Sequence, residues 1–487
     1  MDGSIAMART PSSVDLTLPP RPAGVTLTRW LYDGIRSAIL AGRLRRGARL
    51  PPSRELAALY GISRRIVVNA YEQLRDEGYL TGRVGAGTAV SAQVPEDYVP
   101  LQPAQASAPV KSRTDQGILV YRRPVRPFHP IEPALTEFPA TIWSQVTARV
   151  LRRLSTRMLG ACDPAGLPAL RQAVAEYLGT SRGVACSPDQ VVIVSGTQQS
   201  LDLLGRILIQ PGDPVWVEDP GYVGAVDAFR NARARIVPVR VDEHGLDPGE
   251  GRRACENPRA IYLTPAHQFA VGTTMSLERR LDLLHWNRTA GAAIIEDDYD
   301  SEFRFSGPPV PALRGLDASD SVFLLGSFNK VLFPSLRLGY MVVPEAWIDR
   351  LLALRYQSDR YPPSIGQSVL ARFMEEGHFG RHLRRMRELY AERRAALQTS
   401  AVRYLGGILR LPEIAAGLNT PAYLENGMRS DEAAERAQQA GVDAWPLDAY
   451  CLQRRDVHGL MLGFAAFTER EIRAGVLTLA RALASSK

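Results

Sequence analysis

The chain of 487 residues has few cysteines and no long uninterrupted apolar run. Cys162, Cys186, Cys255 and Cys451 are widely scattered and lack the close spacing of metal ligands, a pattern that suits a reducing compartment. The first twenty residues contain no apolar signal-peptide core, and no segment approaches about eighteen consecutive apolar residues. We therefore expect a cytoplasmic protein with neither a membrane span nor a metal site.

Lysine is absent from the first 95 residues, although this stretch contains 13 arginines and only 7 acidic residues. Its net charge is therefore +6, whereas the formal charge of the whole chain is +8. Most of the excess positive charge thus lies in less than a fifth of the length. Such asymmetry predicts an anion-binding module at this end of the chain, most often one for nucleic acid.

Apolar periodicity and turn residues divide the basic region into three short helices. The apolar residues from Leu27 to Ile39 recur at helical spacing and predict the first helix. Ser53 is placed to cap a second helix, which Gly61 ends. Ser63 is placed to cap a third helix that runs to about Glu77. Two helices joined by a tight glycine turn predict a helix-turn-helix.

Two short strand-like pieces follow, from Tyr79 to Val90, with three glycines among them. A nucleotide-binding loop requires a long apolar strand before the glycines and a helix after them, and both are missing here. The pattern therefore favours a hairpin wing.

The segment LPPSRELAALYGISRRIVVNAYEQLRDEGYLTGRVGAGTAV resembles the winged helix of GntR-type regulators. The resemblance implies an α+β DNA-binding domain over residues 25–92 and a double-stranded DNA partner. The implied DNA contacts are Arg49, Ser53, Arg54, Ser63, Arg64, Arg65 and Gly85. The alternative for any one of these arginines is an ordinary solvated position on a charged face.

Residues 93–126 contain several proline, alanine and glutamine residues and little apolar periodicity, which predicts a semi-extended linker. The remaining residues, 127–487, are enough for two further lobes, the smaller beginning at about residue 344.

Lys330 stands in GSFNKVLFPSLRLGY, directly after an apolar strand predicted from Ser321 to Gly326. Open α/β sheets bind ligands at the carboxyl ends of their strands. Burial and cationic neighbours such as Arg337 would lower the pKa of the Lys330 amine and leave it able to condense with an aldehyde. A single lysine after a strand is otherwise an ordinary solvated residue.

Two further segments carry groups that suit a charged cofactor. GAAIIEDDYDSEF predicts a strand that ends in acids, and a buried Asp297 or Asp298 needs a cation such as a protonated pyridine nitrogen. VVIVSGTQQSLDLLGRIL predicts a strand, a turn of small residues and a helix, whose free N–H groups and hydroxyls suit a phosphate. The phosphate candidates in that turn are Ser195, Gly196, Thr197 and Gln198.

Together with EDPGYVG and TPAHQFAVGTTMSLERR, these segments resemble, in order and spacing, the MocR/GabR family of bacterial transcription regulators. The resemblance implies a multidomain protein whose residues 127–487 form an α/β aminotransferase-like domain of the type I fold, with large and small lobes. It also implies the cofactor pyridoxal 5′-phosphate.

Individual roles follow from the same resemblance. Lys330 would form the internal aldimine, and Asp297 would pair with the pyridine nitrogen. Tyr299 and Gln268 would approach the ring hydroxyl, and Tyr222 would stack on the ring. The residues implied at the phosphate are Ser195, Thr197, Gln198, Ser327 and Arg337. Two of these positions have simpler alternatives, since Tyr222 also suits an ordinary turn and Ser327 also suits the capping of a turn.

Some positions depart from the family pattern. Ala465 and Ala466 stand about where related transaminases have an arginine that grips the substrate carboxylate. Gly224 replaces an arginine of GabR-like proteins, Ala161 replaces a tyrosine that reaches the phosphate, and Asn329 replaces a serine before the lysine. These changes weaken the expectation of efficient turnover.

We therefore expect a regulator that binds DNA through the winged helix and senses pyridoxal phosphate (PLP), or an aldimine of PLP with a small amine. We expect at most a vestigial transaminase half-reaction. The resemblance implies a head-to-tail homodimer. One alternative is a working PLP-dependent aminotransferase with a DNA-binding appendage. Another is a DNA-binding scaffold whose PLP site is vestigial.

Overall fold

The structure is a computed structural model that describes residues 16–83, 87–95, 125–160, 162–307 and 310–484. The chain divides into two compact units, Met1–Val120 and Tyr121–Lys487. Most of the predicted linker 93–126 lies outside the described residues, as do Gly85 and Ala161. Within the described part of the chain, no helix combines the length and apolar character needed to cross a bilayer.

The first unit contains a helix-turn-helix followed by an antiparallel hairpin. Gly61 ends the second helix in the left-handed conformation (φ 64°), and its N–H bonds back to the helix, as the sequence predicts. Leu31, Val67 and Leu74 are buried between the helices. The elements are α1 (Leu27–Leu40), α2 (Ser53–Tyr60), α3 (Arg64–Asp76), β1 (Leu80–Arg83) and β2 (Gly87–Val90).

The two predicted serine caps differ from the structure in detail. Ser53 is the first residue of α2, because Pro52 occupies the cap position before it. Ser63 does occupy the cap position of α3, but its side chain makes no cap hydrogen bond. Neither hydroxyl therefore caps its helix as predicted.

The second unit is built around an eight-stranded sheet among the described residues, in the order β3-β10-β9-β8-β7-β4-β5-β6. The strands β10 and β6 run antiparallel to their neighbours, and the others run in one direction. Strands buried on both faces read as continuous apolar runs, such as VVIV in β3. The bounds are β3 (Val191–Val194), β4 (Pro214–Asp219), β5 (Arg235–Asp242), β6 (Gly245–Leu246), β7 (Ala260–Leu263), β8 (Ala293–Asp298), β9 (Val322–Ser327) and β10 (Gly339–Val342).

Helices cover this sheet, and a smaller sheet follows it in the chain. The smaller sheet has the order β11-β12-β14-β13, with β11 (Leu409–Arg410), β12 (Asn419–Leu424), β13 (Trp445–Pro446) and β14 (Gly459–Gly463). The helices are α4 (Ala140–Arg152), α5 (Thr156–Leu159), α6 (Pro168–Arg182), α7 (Thr197–Leu208), α8 (Val223–Asn231), α9 (Pro248–Ala254), α10 (Leu277–Ala290), α11 (Leu313–Leu316), α12 (Ile348–Ser358), α13 (Ser364–Glu375), α14 (His378–Tyr404), α15 (Ser430–Gln439) and α16 (Glu469–Leu483).

The segment at the start of the second unit, which we call the strap (residues 125–134), is bound to the smaller sheet at the other end of the chain. The N–H of Gly463 donates to the carbonyl of Phe128 (2.8 Å), and the N–H of Asp443 donates to the carbonyl of Pro127 (2.9 Å). His129 Nδ1 lies 2.5 Å from a carboxylate oxygen of Asp443. The strap therefore belongs structurally to the smaller lobe.

Candidate cofactor site and DNA-contacting surface

A cavity of about 120 Å³ lies at the carboxyl ends of β7, β8 and β9. This is the edge at which open α/β sheets bind ligands. The lining residues are Ile131, Thr197, Tyr222, Tyr262, Thr264, Phe269, Asp297, Tyr299, Ser327 and Lys330. The structure thus brings six of the eleven predicted cofactor residues to one cavity.

Lys330 is positioned by the turn that follows β9. Its Nζ donates a hydrogen bond to the carbonyl of Ile131, 3.1 Å away in the strap. Burial lowers the pKa of the Lys330 amine, while Glu132 and Asp300 oppose this shift. The predicted direction is therefore found, but its cause is burial, and the charged neighbours that influence the amine are acids rather than Arg337.

Asp297, at the penultimate position of β8, offers an unpaired oxygen to the cavity. Its Oδ2 accepts a hydrogen bond from the hydroxyl of Tyr262 (2.8 Å), whereas its Oδ1 is buried with no hydrogen-bond partner among the described residues. Burial raises the pKa of Asp297 to about 7. The neighbouring Asp298 pairs instead with Arg182 (2.8 Å). The sequence predicts that either Asp297 or Asp298 meets a cationic ligand, and Asp297 is the one that has a free oxygen for it.

The turn between β3 and α7 forms one end of the site. Gly196 has φ 134°, a conformation that side chains rarely adopt, and it leads directly into the amino end of α7. Free N–H groups at such an end bind anions. A Cβ atom added at Gly196 would lie 3.2 Å from Asn329 Nδ2 and 4.0 Å from Arg337 Nη1. Arg337 itself adopts a left-handed conformation (φ 51°), which is uncommon outside glycine and asparagine.

Two other predicted phosphate-binding residues lie beside the amino end of α7, but their side chains are hydrogen-bonded to other residues of the protein. The N–H and the hydroxyl of Ser195 both donate to Gln199 Oε1 at 2.8 Å. The Gln198 amide donates to the carbonyl of Gly224 at 3.0 Å. Neither side chain lines the cavity, in contrast to Thr197 and Ser327.

Tyr222 forms a wall of the cavity, and its ring lies over Gly224. A Cβ atom at position 224 would come within 2.5 Å of the Tyr222 ring, so the ring occupies the space where a side chain would begin. Phe269 packs edge-on against the same ring, with 5.6 Å between centroids. The arrangement therefore leaves no room for an arginine at position 224 while Tyr222 keeps this rotamer.

Tyr299 also lines the cavity, and two residues behind it hold its hydroxyl. The hydroxyl lies 3.0 Å from His267 Nδ1, and both carboxylate oxygens of the buried Asp300 lie 3.0 Å from the same nitrogen. The phenol is therefore fixed in position by a buried histidine and carboxylate.

Gln268 is not among the described residues that line the cavity, and its approach to a ring hydroxyl stays a prediction. Its amide nitrogen donates to Glu218 Oε2 (3.2 Å), to the carbonyl of Pro220 (2.8 Å) and to that of Phe269 (2.6 Å). These buried acceptors occupy the amide inside the protein, and Thr264 lines the cavity nearby.

Ala465 and Ala466 occupy the positions at which related transaminases have a carboxylate-binding arginine. Ala465 is buried in the core and Ala466 is half-buried. The nearby Arg393 is itself buried and donates to the backbone carbonyl of Ala465. Among the described residues that line the cavity, Lys330 is the only cation.

The residues present fit pyridoxal phosphate. The buried, unpaired Asp297 Oδ1 suits a protonated ring nitrogen, and Lys330 suits the aldehyde carbon. The turn at Gly196, with Thr197, Ser327 and Arg337, suits the phosphate.

In the first unit, the predicted DNA-contacting side chains lie on the surface. Arg49, Arg54, Arg64 and Arg65 are exposed, with Arg64 and Arg65 in the first turn of α3. Arg64 Nε donates to the hydroxyl of Ser53 (3.2 Å), which links the starts of α2 and α3. The amino end of a recognition helix is where this fold meets DNA.

Sequence reasoning missed several residues of the site. Ile131 and Glu132 belong to a strap far from Lys330 in the chain, and no local pattern marks them. Tyr262 lies inside an apolar strand, which conceals its polar role. His267 lies in the segment TPAHQFAVGTTMSLERR, but its partner Asp300 lies 33 residues further on, so the sequence does not show that the two meet.

Two family descriptions match the chain. Residues 27–90 match "Bacterial regulatory proteins, gntR family", and residues 141–406 match "Aminotransferase class I and II". The second match covers more than half of the chain.

Similar proteins include regulators and aminotransferases. The chain is 39% identical to a probable rhizopine catabolism regulatory protein, MocR, of Rhizobium meliloti, over 94% of each chain. It is 32% identical to the uncharacterized HTH-type transcriptional regulator YhdI of Bacillus subtilis, over 93% of this chain and 95% of that one. The crystal structure of the α-aminoadipate aminotransferase LysN of Thermus thermophilus, complexed with N-(5′-phosphopyridoxyl)-L-leucine, is similar with a TM-score of 0.68 and 29% identity, over 74% of this chain and 92% of that one.

The regulators that this chain resembles match it over most of its length, and the matched length includes both the winged helix and the aminotransferase-like domain. The chain belongs to the MocR/GabR family of GntR-type transcription regulators, in which a DNA-binding helix-turn-helix is fused to an aminotransferase-like domain that takes pyridoxal phosphate.

Proposed function

We propose that this transcription regulator uses its cofactor unit as a sensor, and that its effector is pyridoxal phosphate or the product of its condensation with a small amine. The observation that carries the proposal is that two ionisable groups, Lys330 and Asp297, line the same cavity. The buried Lys330 amine has a lowered pKa, and Asp297 presents an unpaired buried oxygen. Sites of perturbed ionisation in a cavity are typical of functional centres.

When bound, pyridoxal phosphate supplies an aldehyde that condenses with a primary amine and a pyridine ring that withdraws electrons. In this chain, Lys330 would provide the amine and Asp297 would hold a proton at the ring nitrogen. Tyr222 would cover one face of the ring. The amino end of α7 and Arg337 would bind the phosphate.

We further propose that the protein acts in the cytoplasm as a head-to-tail homodimer. Paired winged helices suit two DNA half-sites, and an effector that changes the closure of the smaller lobe would alter how both sites are engaged. Light scattering of the full chain tests the dimer directly.

The decisive experiment measures binding of the full chain to DNA from its own upstream region, by fluorescence anisotropy at fixed salt, with and without pyridoxal phosphate. We expect a shift in affinity with pyridoxal phosphate but none with pyridoxine phosphate, which has the same ring and phosphate but no aldehyde. The variant Lys330→Ala should lose the shift and still bind DNA.

Three outcomes contradict this proposal. An unchanged shift in Lys330→Ala rules out the covalent part. Conversion of the cofactor to its pyridoxamine form at catalytic speed favours the alternative of a working aminotransferase. A protein that never takes up pyridoxal phosphate has a vestigial site and is not a sensor of this cofactor.

A further inference from the structure

The strap places two residues beside the reactive amine. Ile131 accepts the hydrogen bond from Lys330 Nζ at 3.1 Å, and its side chain lines the cavity. Glu132 follows directly in the chain, so its backbone lies beside the same amine. Because the strap is hydrogen-bonded to Gly463 and Asp443 of the smaller lobe, both residues are held in place from outside the large sheet.

Ile131 is held in an unfavourable backbone conformation. Its φ is 64°, in the left-handed region, where a β-branched residue is a true outlier. Such strain persists where surrounding structure imposes it, and it concentrates at functional sites. Here it directs the Ile131 carbonyl to Lys330 while the apolar side chain packs in a cluster with Tyr222 and Phe269.

Glu132 is a half-buried carboxylate without a hydrogen bond or ion pair among the described residues. Burial raises its pKa, and Lys330 and His129 oppose that shift. Without a charge on the Lys330 nitrogen, Glu132 loses the larger of these two opposing influences. A buried carboxylate in that position favours a new cationic partner.

The other groups around the amine reinforce this selectivity. Asp297 and Asp300 are buried acids, and the described lining of the cavity contains no arginine. An amino acid would therefore bring its carboxylate toward largely apolar walls, with no arginine in the described lining to receive it. An amine without a carboxylate avoids that mismatch.

We propose that the site selects a primary amine that has no carboxylate and carries a second cationic group, such as a diamine, with Glu132 binding that second group. This inference rests on the proposed sensor function and specifies its ligand. The amine nitrogen of the ligand would replace the Lys330 nitrogen on the aldehyde carbon. One C=N bond forms as the other breaks, and the two protons that leave the ligand nitrogen pass to the Lys330 nitrogen, so no oxidant or reductant is required.

Matched ligand pairs test the proposal. The full chain loaded with pyridoxal phosphate is titrated with putrescine against ornithine and with cadaverine against lysine, and the cofactor absorbance is recorded. Each pair differs only by a carboxylate. We expect each diamine to bind about ten- to a hundredfold more tightly than its amino acid, the range of a charge-assisted contact.

Two variants separate the role of Glu132 from general effects. Glu132→Gln keeps the shape and removes the charge, and should weaken diamine binding about tenfold while leaving the amino acids unchanged. The matched control is Glu137→Gln, which removes an acid near the strap that pairs with Arg385 at the surface. It should leave both affinities unchanged.

Equal or tighter binding of the amino acids overturns the ligand class, as does the absence of a spectral change with all four compounds. An unchanged diamine affinity in Glu132→Gln overturns the role of that residue. Cofactor uptake and the cofactor-dependent shift in DNA affinity are measured on the same preparation. If they are present while every amine fails, the ligand inference is wrong and the sensor function stands; if they are absent, both are wrong.

Discussion

Arginine has different surroundings in the two units of the chain. In the winged helix, Arg54, Arg64 and Arg65 are exposed and available to an anionic partner. In the cofactor unit, Arg280 is fully buried and donates to three backbone carbonyls, those of Met275, Pro311 and Pro265. The same side chain is thus exposed to solvent in one unit and is an internal brace in the other. The role of an arginine therefore depends more on how far its side chain is buried than on the net charge of the unit that contains it.

The largest effect should come from removing the internal brace. Arg280→Met leaves three backbone carbonyls without this donor, two of them buried, and we expect the cofactor unit to lose about 3–5 kcal/mol of unfolding free energy. Urea unfolding followed by circular dichroism measures the loss. The control Arg253→Met removes an exposed arginine whose partner Glu250 lies 4.0 Å away, and it should change little. Similar losses in both variants would show that burial does not separate the two roles.

The second effect concerns DNA affinity. Replacing both Arg64 and Arg65 by alanine should weaken DNA binding by about 3 kcal/mol in total and reduce the salt dependence. Stability should be unchanged, because both side chains are exposed. Anisotropy titrations at several salt concentrations measure both quantities. Arg29→Ala, on α1 and paired with Asp33, is the control that should retain full affinity. Loss of affinity in the control alone would place the DNA surface elsewhere.

The third effect uses a buried acid in the cofactor unit. Burial raises the pKa of Asp297 from 3.8 to about 7, so between these values the folded apoprotein keeps a proton that the unfolded chain releases. Stability is therefore present at low pH and is lost as the pH rises through this window. In Asp297→Asn that loss should shrink, by up to about 4 kcal/mol, which is the width of this window at about 1.4 kcal/mol per pH unit.

Urea midpoints of the apoprotein at several pH values test the contribution of Asp297. Glu218, whose pKa burial also raises to about 7, should behave in the same way when replaced by glutamine. A pH dependence identical to that of the unaltered chain in both variants would mean that neither acid retains its proton in the folded state.

The smallest effect should come from exposed ion pairs in either unit. Arg29→Ala removes a pair with Asp33 at 2.9 Å, and Arg473→Ala removes one with Glu469 at 3.0 Å. Both pairs are exposed, and we expect each loss to be below about 0.5 kcal/mol. Thermal unfolding compares the two directly. A clear difference between the two stability losses would mean that an arginine's contribution to stability depends on the unit that contains it and not on its exposure.

Local patterns in the sequence predicted the elements that depend on near neighbours. The helix predicted from Leu27 to Ile39 is observed at Leu27–Leu40, and Gly61 ends the next helix as expected. The strand, turn and helix around Gly196 are also found. In each case the periodicity or backbone conformation is encoded within a few residues.

The rest of the site depends on contacts between distant parts of the chain. Lys330 and Ile131 are 199 residues apart, and only the folded smaller lobe brings the strap to the amine. Gln268 carries the expected amide, and one of its buried acceptors, Glu218, comes from a distant part of the chain. A residue type at a motif position therefore indicates a capability, and the surrounding fold decides where it is directed.

The strap also affects the order in which the two units are completed during synthesis. The described apolar core of the winged helix lies between Leu16 and Val94, whereas Phe128 pairs with Gly463, at the end of the last described strand. Because domains fold as units from the amino end while translation continues, the DNA-binding unit should be complete well before the cofactor cavity has its Ile131 wall. A nascent regulator would thus be able to bind DNA before it is able to respond to its effector.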